Sequence, residues 1–279
     1  MSNLQTRILS ALVFGVLVIG GIYVSEVSFF ILFAFVAVIS CYELIQMLDP
    51  QENKFSWSVI SRVLSANLPL FILLPKILGF NEVHMSIENM VSFIIAMFFI
   101  QLPLSLYSAP KSPLKYISPV LISKIYISLP IFCLALMSVK YGSYEPEIPM
   151  ALLLLIWVND SAAYFVGSKL GRRKLSPTIS PKKTWEGFFG GLFFTMLTAG
   201  IISYVSDFWH LKSVLILGAL VASFGTMGDL IESMFKRFAK VKDSGQIMPG
   251  HGGLLDRFDG FFFMIPIVYF YLNLLEKYI

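Results

Sequence analysis

Charge is what this chain has least of. Asp, Glu, Lys and Arg make up 14% of its 279 residues, where soluble domains carry about 25%. With 57% hydrophobic residues and a mean hydropathy of +0.77, the composition excludes an ordinary soluble enzyme and excludes disorder. Cysteine is nearly absent. Cys41 and Cys133 both lie inside apolar runs, which excludes a disulfide framework or a thiolate metal centre and leaves two buried small side chains. Neither a P-loop pattern nor a Rossmann glycine fingerprint occurs, which argues against a soluble-type nucleotide fold. The net charge of +4 does not call for nucleic acid, because basic residues in a membrane protein first report topology.

What is present is a series of about nine apolar segments, each near the ~20 residues that span a bilayer. They run Ile8–Ser25, Phe29–Leu48, Leu64–Phe80, Met90–Tyr107, Val120–Val139, Ile148–Ser168, Phe188–Val205, Val214–Glu232 and Phe258–Leu275. The expected fold is an all-α polytopic integral membrane protein with about nine transmembrane helices. The first run lacks a clear cleavage site and is expected to stay as a span. Most Lys and Arg fall in the 49–63, 108–119, 169–187 and 233–257 connections, which the positive-inside rule puts in the cytoplasm with the N-terminus. Residues 1–145 have few polar groups inside their spans, Glu43 being the main exception, and read as a scaffold. Residues 146–279, with the loops 169–187 and 233–257, read as the working part with a cytoplasm-facing polar site.

An ionisable residue inside a span costs roughly 2.5–3.5 kcal/mol on insertion scales and is a functional candidate by default. Three places qualify. On a helix, Asp160, Ala163, Tyr164 and Gly167 share a face beside Asn159, although an interhelical polar contact would also explain them. In the following loop, Ser180, Lys182, Lys183, Thr184 and Glu186 precede a helix start and suggest a phosphate cradle. Arg172, Arg173 and Lys174 are explained by ordinary positive-inside charge. The third place runs from Gly225 to Gly260. Asp229, Glu232, Ser233 and Lys236 line one helix face, followed by Arg237, Lys242, Asp243, His251, Gly252, Gly253, Asp256, Arg257 and Asp259. Hard oxygen donors without thiols suit Mg²⁺ rather than zinc. Lysines and arginines beside them suit a metal-bound polyphosphate, and the glycines let backbone approach a ligand closely.

The stretch Ser233-x-Phe235-Lys236-Arg237-x4-Lys242-Asp243-x-Gly245-x2-Met248-Pro249-x-His251-Gly252-Gly253-Leu254-x-Asp256-Arg257-Phe258-Asp259 closely resembles the signature of phosphatidate cytidylyltransferases, also called CDP-diacylglycerol synthases. Asn159-Asp160 with Tyr164 and Gly167, and Ser180 through Gly187, resemble the same family. Glu43 is a loose match, and Met248 stands where Leu, Ile or Phe is commoner, a volume-conserving change. The resemblance implies transfer of CMP from CTP to phosphatidate, giving CDP-diacylglycerol and pyrophosphate, with Mg²⁺ dependence and an inner-membrane location. It implies Asp229 and Asp256 as principal metal ligands, with Asp259 and Asp160 as further ligands or their supports. Lys242, Asp243, His251 and Arg257 complete the implied catalytic set. Asn159, Ser180, Lys182, Lys183, Thr184, Glu186, Ser233, Lys236, Arg237, Gly252 and Gly253 are the implied substrate contacts. A second cation and a homodimer are compatible with the sequence. The rival readings are a CTP-dependent lipid or polyprenol kinase, which would release CDP instead of pyrophosphate, and a cation-coupled transporter.

Overall fold

The computed structural model describes residues 3–50, 57–73, 96, 113–140, 143–205, 210–248 and 252–276. These form α1 (Asn3–Tyr23), α2 (Glu26–Leu48), α3 (Trp57–Asn67), a 3₁₀ stretch (Leu68–Leu73), α4 (Pro113–Ser123), a π turn (Lys124–Ser128), α5 (Leu129–Ser138), a two-stranded ladder β1 (Val139–Lys140) and β2 (Ser143–Tyr144), α6 (Glu147–Leu170), a hairpin β3 (Lys174–Ser176) and β4 (Ser180–Thr184), α7 (Trp185–Val205), α8 (Leu211–Phe238) and α9 (Leu255–Glu276). Five described stretches are helical, long and apolar enough to cross a membrane: Glu26–Leu48, Ile117–Ser138, Glu147–Leu170, Trp185–Val205 and Leu211–Phe238. A shorter apolar helix spans Leu9–Tyr23. The expected spans Leu64–Phe80 and Met90–Tyr107 lie mostly outside the described residues.

The chain divides into two compact units. One joins Met1–Ala135 to Val241–Asp256, the other Leu136–Lys240 to Arg257–Ile279. The 241–256 segment thus packs with the N-terminal spans.

In the first unit, Ser25 starts α2 with a capping box. Its hydroxyl accepts from Ser28 N at 3.0 Å, and Ser28 Oγ accepts from Ser25 N at 2.9 Å, which satisfies two otherwise orphaned donors. α2 buries Phe29, Phe33, Val36, Leu44 and Ile45 and packs against α1, α3, α4 and the π turn. Part of the supposed 49–63 connection is helical, and its Arg62 is 3% exposed, paired with Asp49 at 2.7 Å.

The polar exception in α2, Glu43, is only 2% exposed. Its carboxylate accepts from Leu255 N at 2.8 Å and Leu254 N at 3.1 Å, and the Ser244 hydroxyl lies 3.2 Å away. A Cβ at Gly245 or Gly253 would overlap this carboxylate, so both positions require glycine for close approach. Asp256 ties the same segment from its other side. Its Oδ2 accepts from Gly253 N at 2.8 Å and Ser244 N at 3.0 Å, with Ser244 Oγ also at 3.0 Å.

In the second unit α6, α7 and α8 pack on one another. α7 buries only Gly187, Gly191, Thr195 and Ala199, one small residue every four, and this narrow stripe lets backbones approach closely. A Cβ at Gly191 would stand 2.6 Å from Asn159 Oδ1, and one at Gly187 2.7 Å from the Ala163 carbonyl. The rest of α7, with Phe189, Phe193, Leu197 and Ile201, is exposed, as suits a lipid-facing surface. On α8, a Cβ at Gly228 would meet the Asp259 carbonyl at 2.7 Å, so α9 lies directly against α8.

Two sequence expectations change. The 169–187 connection is not an open loop. α6 runs to Leu170, and a hairpin pairs Lys174 with Thr184 and Ser176 with Ser180. The 233–257 loop is shorter than expected, because α8 continues through Ser233, Lys236 and Arg237 to Phe238. Cations in the last turn favour that extension, and Lys240, at φ 58°, turns the chain out of the helix.

Glu43→Ala removes the acceptor of two buried backbone donors. The expected loss is roughly 3 kcal/mol of stability in detergent, with faster amide exchange concentrated in residues 243–255. Gly191→Leu forces α6 and α7 apart and is expected to cost roughly 1–3 kcal/mol, read as a lowered Tm. An unchanged Tm would overturn that packing account.

Candidate active site

The charged residues of the second unit gather at one place. α8 supplies Asp229, α6 Asp160, α9 Asp259 and Arg257, and β4 Lys183. Successive residues of a strand point to opposite faces. Lys182 is accordingly exposed while Lys183 turns inward, its Nζ 2.5 Å from Asp229 Oδ2. Ser233, one turn along α8, donates from Oγ to Asp229 Oδ1 at 3.3 Å. Asp160 has Asp229, Lys183 and Arg257 as charged neighbours, and Asp259 has Asp229, Asp160 and Lys236. Three carboxylates thus sit within electrostatic reach of one another, held among three cations.

Around this centre the supports are specific. Asn159, 1% exposed, donates from Nδ2 to Asp160 Oδ1 at 3.3 Å. Its Oδ1 has no hydrogen-bond partner among the described residues. Lys236 forms an ion pair with the fully buried Glu232 one turn earlier, so it is a held cation rather than a loose one. Glu232 belonged to the helix-face stripe seen in the sequence, and its spacing of four from Lys236 was the available signal for the pair.

The hairpin that delivers Lys183 is anchored at both ends. Arg172 N and Arg173 N donate to the Glu186 carboxylate at 3.0 and 3.2 Å, and Trp185 N donates to the Arg173 carbonyl at 2.9 Å. Thr184 Oγ1 accepts from Gly187 N at 3.2 Å, capping the first turn of α7. Arg237 Nε donates to the Ile179 carbonyl at 3.3 Å, tying the turn of the hairpin to α8. Glu186, Thr184 and Arg237, read from the sequence as substrate contacts, are thus engaged in shaping the hairpin. Ser180 is half-buried at the start of β4.

The remaining residues read from the sequence belong to the first unit. Lys242 and Asp243 are exposed on the segment after α8. Gly252 takes φ +84°, a left-handed conformation suited to glycine, and its carbonyl accepts from Met248 N at 3.0 Å. Gly253 and Asp256 form the Ser244 tie already described. Glu43 was legible only as a polar oddity in an apolar span, and its role as anchor of this segment was missed. His251 lies outside the described residues.

The donors fit a hard divalent cation by chemistry: carboxylate oxygens without thiolate or imidazole. As placed, no three His, Cys, Asp or Glu side chains among the described residues close around one point. Lys183 stands against Asp229, where it offsets part of the negative charge.

Residues 5–275 match the family described as the cytidylyltransferase family. The chain is 35% identical over 275 residues to a phosphatidate cytidylyltransferase of Bacillus subtilis, covering 98% of this chain and 97% of that protein. It is 35% identical over 267 residues to one of Staphylococcus saprophyticus, covering 94% and 95% of the two chains. Against one of Staphylococcus aureus the identity is 49% over 119 residues, 41% of this chain and 45% of that protein. With its charged centre spread over α6, the hairpin, α8 and α9, and a match running almost end to end, this chain belongs to the cytidylyltransferase family.

Proposed function

We propose that this protein is a phosphatidate cytidylyltransferase of the cell membrane. The observation that carries the reading is the match over nearly the whole length to relatives so named, together with the Ser233–Asp259 signature. In the reaction, a phosphate oxygen of phosphatidate attacks the α-phosphorus of CTP. A new P–O bond forms, the bond to the β-phosphate breaks, and pyrophosphate leaves. The nucleophile is already anionic at neutral pH, so the protein need not supply a strong base. Its task is alignment and neutralisation of charge.

Lys183, Lys236 and Arg257 are the cations we assign to phosphate oxygens. Lys183 reaches the centre from a rigid hairpin and Lys236 is fixed by Glu232, so neither needs to reorganise as charge develops. Asp229, with Asp160 and Asp259 beside it, would hold Mg²⁺. Bound there, the ion would offset charge on the phosphates. Asp256 is the other ligand implied by the family resemblance, and its Oδ2 also receives the donors of residues 244 and 253. The hairpin is proposed to face the cytoplasm, where CTP is found, in keeping with the Lys and Arg of its connection. Phosphatidate keeps its tails in the bilayer and brings its phosphate to that face.

The test is formation of CDP-diacylglycerol and pyrophosphate by the purified protein with phosphatidate, labelled CTP and Mg²⁺. Release of CDP instead of pyrophosphate would turn the assignment to a lipid kinase. Lys183→Ala is expected to lower kcat by roughly 10²–10³-fold while the protein stays folded. A kcat within a few-fold of the parent would remove Lys183 from the chemistry. Asp229→Asn is expected to abolish most turnover and to weaken Mg²⁺ binding measured by calorimetry. Unaltered Mg²⁺ binding would move the cation site elsewhere.

A further inference from the structure

Along the outside of the second unit, α6 and α7 leave an apolar groove of about 410 Å³. Trp157, Val158, Ala162, Phe165 and Val166 of α6 and Phe194 of α7 line it, and Ser161 supplies a single hydroxyl. Its floor is closed by contact between the two helices. A Cβ at Gly190 would stand 2.6 Å from Val166 Cβ, and one at Gly191 2.6 Å from Asn159 Oδ1. The groove follows α6 from Trp157 to Val166, a rise of about 14 Å. Half of a bilayer's ~30 Å hydrocarbon core is about 15 Å deep. The match sets one leaflet, that on the side of β3 and β4, along the groove. An acyl chain is the occupant that a bilayer supplies to an apolar groove of this depth.

What stands above the groove selects among lipids. Lys169 follows Val166 by three residues and Phe165 by four, so it lies over the same helix face. It is exposed, as are Arg172, Arg173 and Lys174. Residues 169–174 thus hold four cations and no carboxylate. Glu186 accepts from the backbone N–H groups of Arg172 and Arg173, and one carboxylate leaves most of this positive charge in place. The positive-inside rule accounts for the side of the membrane on which these residues lie, but not for their place at the head of a groove. Cations immediately beyond a span attract anionic headgroups.

This surface is separate from the charged centre. Asp160 and Lys169 are nine residues apart, which is two and a half helical turns, so they face opposite sides of α6. A lipid seated in the groove presents its headgroup to Lys169 and away from Asp160.

We propose that the groove holds an acyl chain of an anionic phospholipid other than the substrate, with the lipid phosphate at Lys169 and the cations of residues 172–174 around it. The site stands whether or not the reaction proposed above is the correct one.

The test uses the full-length protein in phosphatidylcholine nanodiscs that contain a trace of phosphatidylglycerol carrying a diazirine on one acyl chain. After irradiation the labelled peptides are mapped. Label is expected within residues 157–166 or at Phe194, with a matched phosphatidylcholine probe labelling them at least about fivefold less. Lys169→Gln is expected to lower the phosphatidylglycerol label about fivefold with Tm unchanged. Ala162→Phe, which fills the groove, is expected to lower it as well, and Asp229→Asn to leave it as it is. Equal label from the two probes, no label in the groove, or unchanged label in Lys169→Gln would overturn the proposal. Label from a phosphatidate probe alone would also overturn it, by making the groove part of the substrate's path. So would disulfide-linked dimers of Phe165→Cys in membranes, which would give the groove to a second copy of this chain.

Discussion

A charge carried into a bilayer must be answered there, by an opposite charge, by backbone donors or by water, and the polar architecture of this protein follows from that requirement. Three carboxylates each have their own answer. Glu43 takes two backbone N–H groups, which serve a buried carboxylate as a cation would. Glu232 takes Lys236, and Asp229 takes Lys183. The exception is the mutual proximity of Asp229, Asp160 and Asp259, where like charges face one another. Such an arrangement of like charges costs free energy, which the neighbouring cations Lys183, Lys236 and Arg257 offset in part.

Small residues make the arrangement geometrically attainable. The carboxylates of α6, α8 and α9 come near one another because α6 meets α7 through Gly187 and Gly191, and α8 meets α9 through Gly228. Lipid tails are as apolar as a leucine side chain, so wide apolar faces give membrane helices little reason to prefer one another over lipid. Close backbone contact does. The bulky residues of α7 are accordingly on its exposed faces, and its packing stripe is nearly devoid of side-chain volume.

Much of this was legible in the sequence. Apolar length alone gave the helices α2, α6, α7 and α8, and ionisable residues within apolar runs gave Asp160, Asp229 and Asp259. The hairpin was not legible. Lys174–Ser176 and Ser180–Thr184 are short and polar, with no alternating apolar pattern, and their pairing is supported by contacts with Glu186 and Arg237. The extension of α8 was legible in part: the stripe Asp229, Glu232, Ser233 and Lys236 already lay on one helix face, although the apolar span ended at Glu232. The helix dipole and the Glu232–Lys236 pair carry the helix on to Phe238. The link from Glu43 to Leu254 crosses 211 residues. No local pattern records a partner that far away. The sequence registers only that a glutamate stands where it should not.

That distance also explains how labour is divided in the fold. The glycine-rich part of the signature contributes few side chains of its own, and a chain of this kind would ordinarily pay a large entropic cost to adopt one conformation. Its definition comes from carboxylates on either side, Glu43 from α2 and Asp256 from the start of α9, which converge on Ser244. Glycine at 245 and 253 is needed because a carboxylate must reach the backbone there. Within the first unit the segment is therefore held by backbone donors and carboxylates; within the second, Lys183 and Lys236 are each held by a carboxylate. In both, charge is fixed by the fold itself, so these groups need little reorganisation to keep their places.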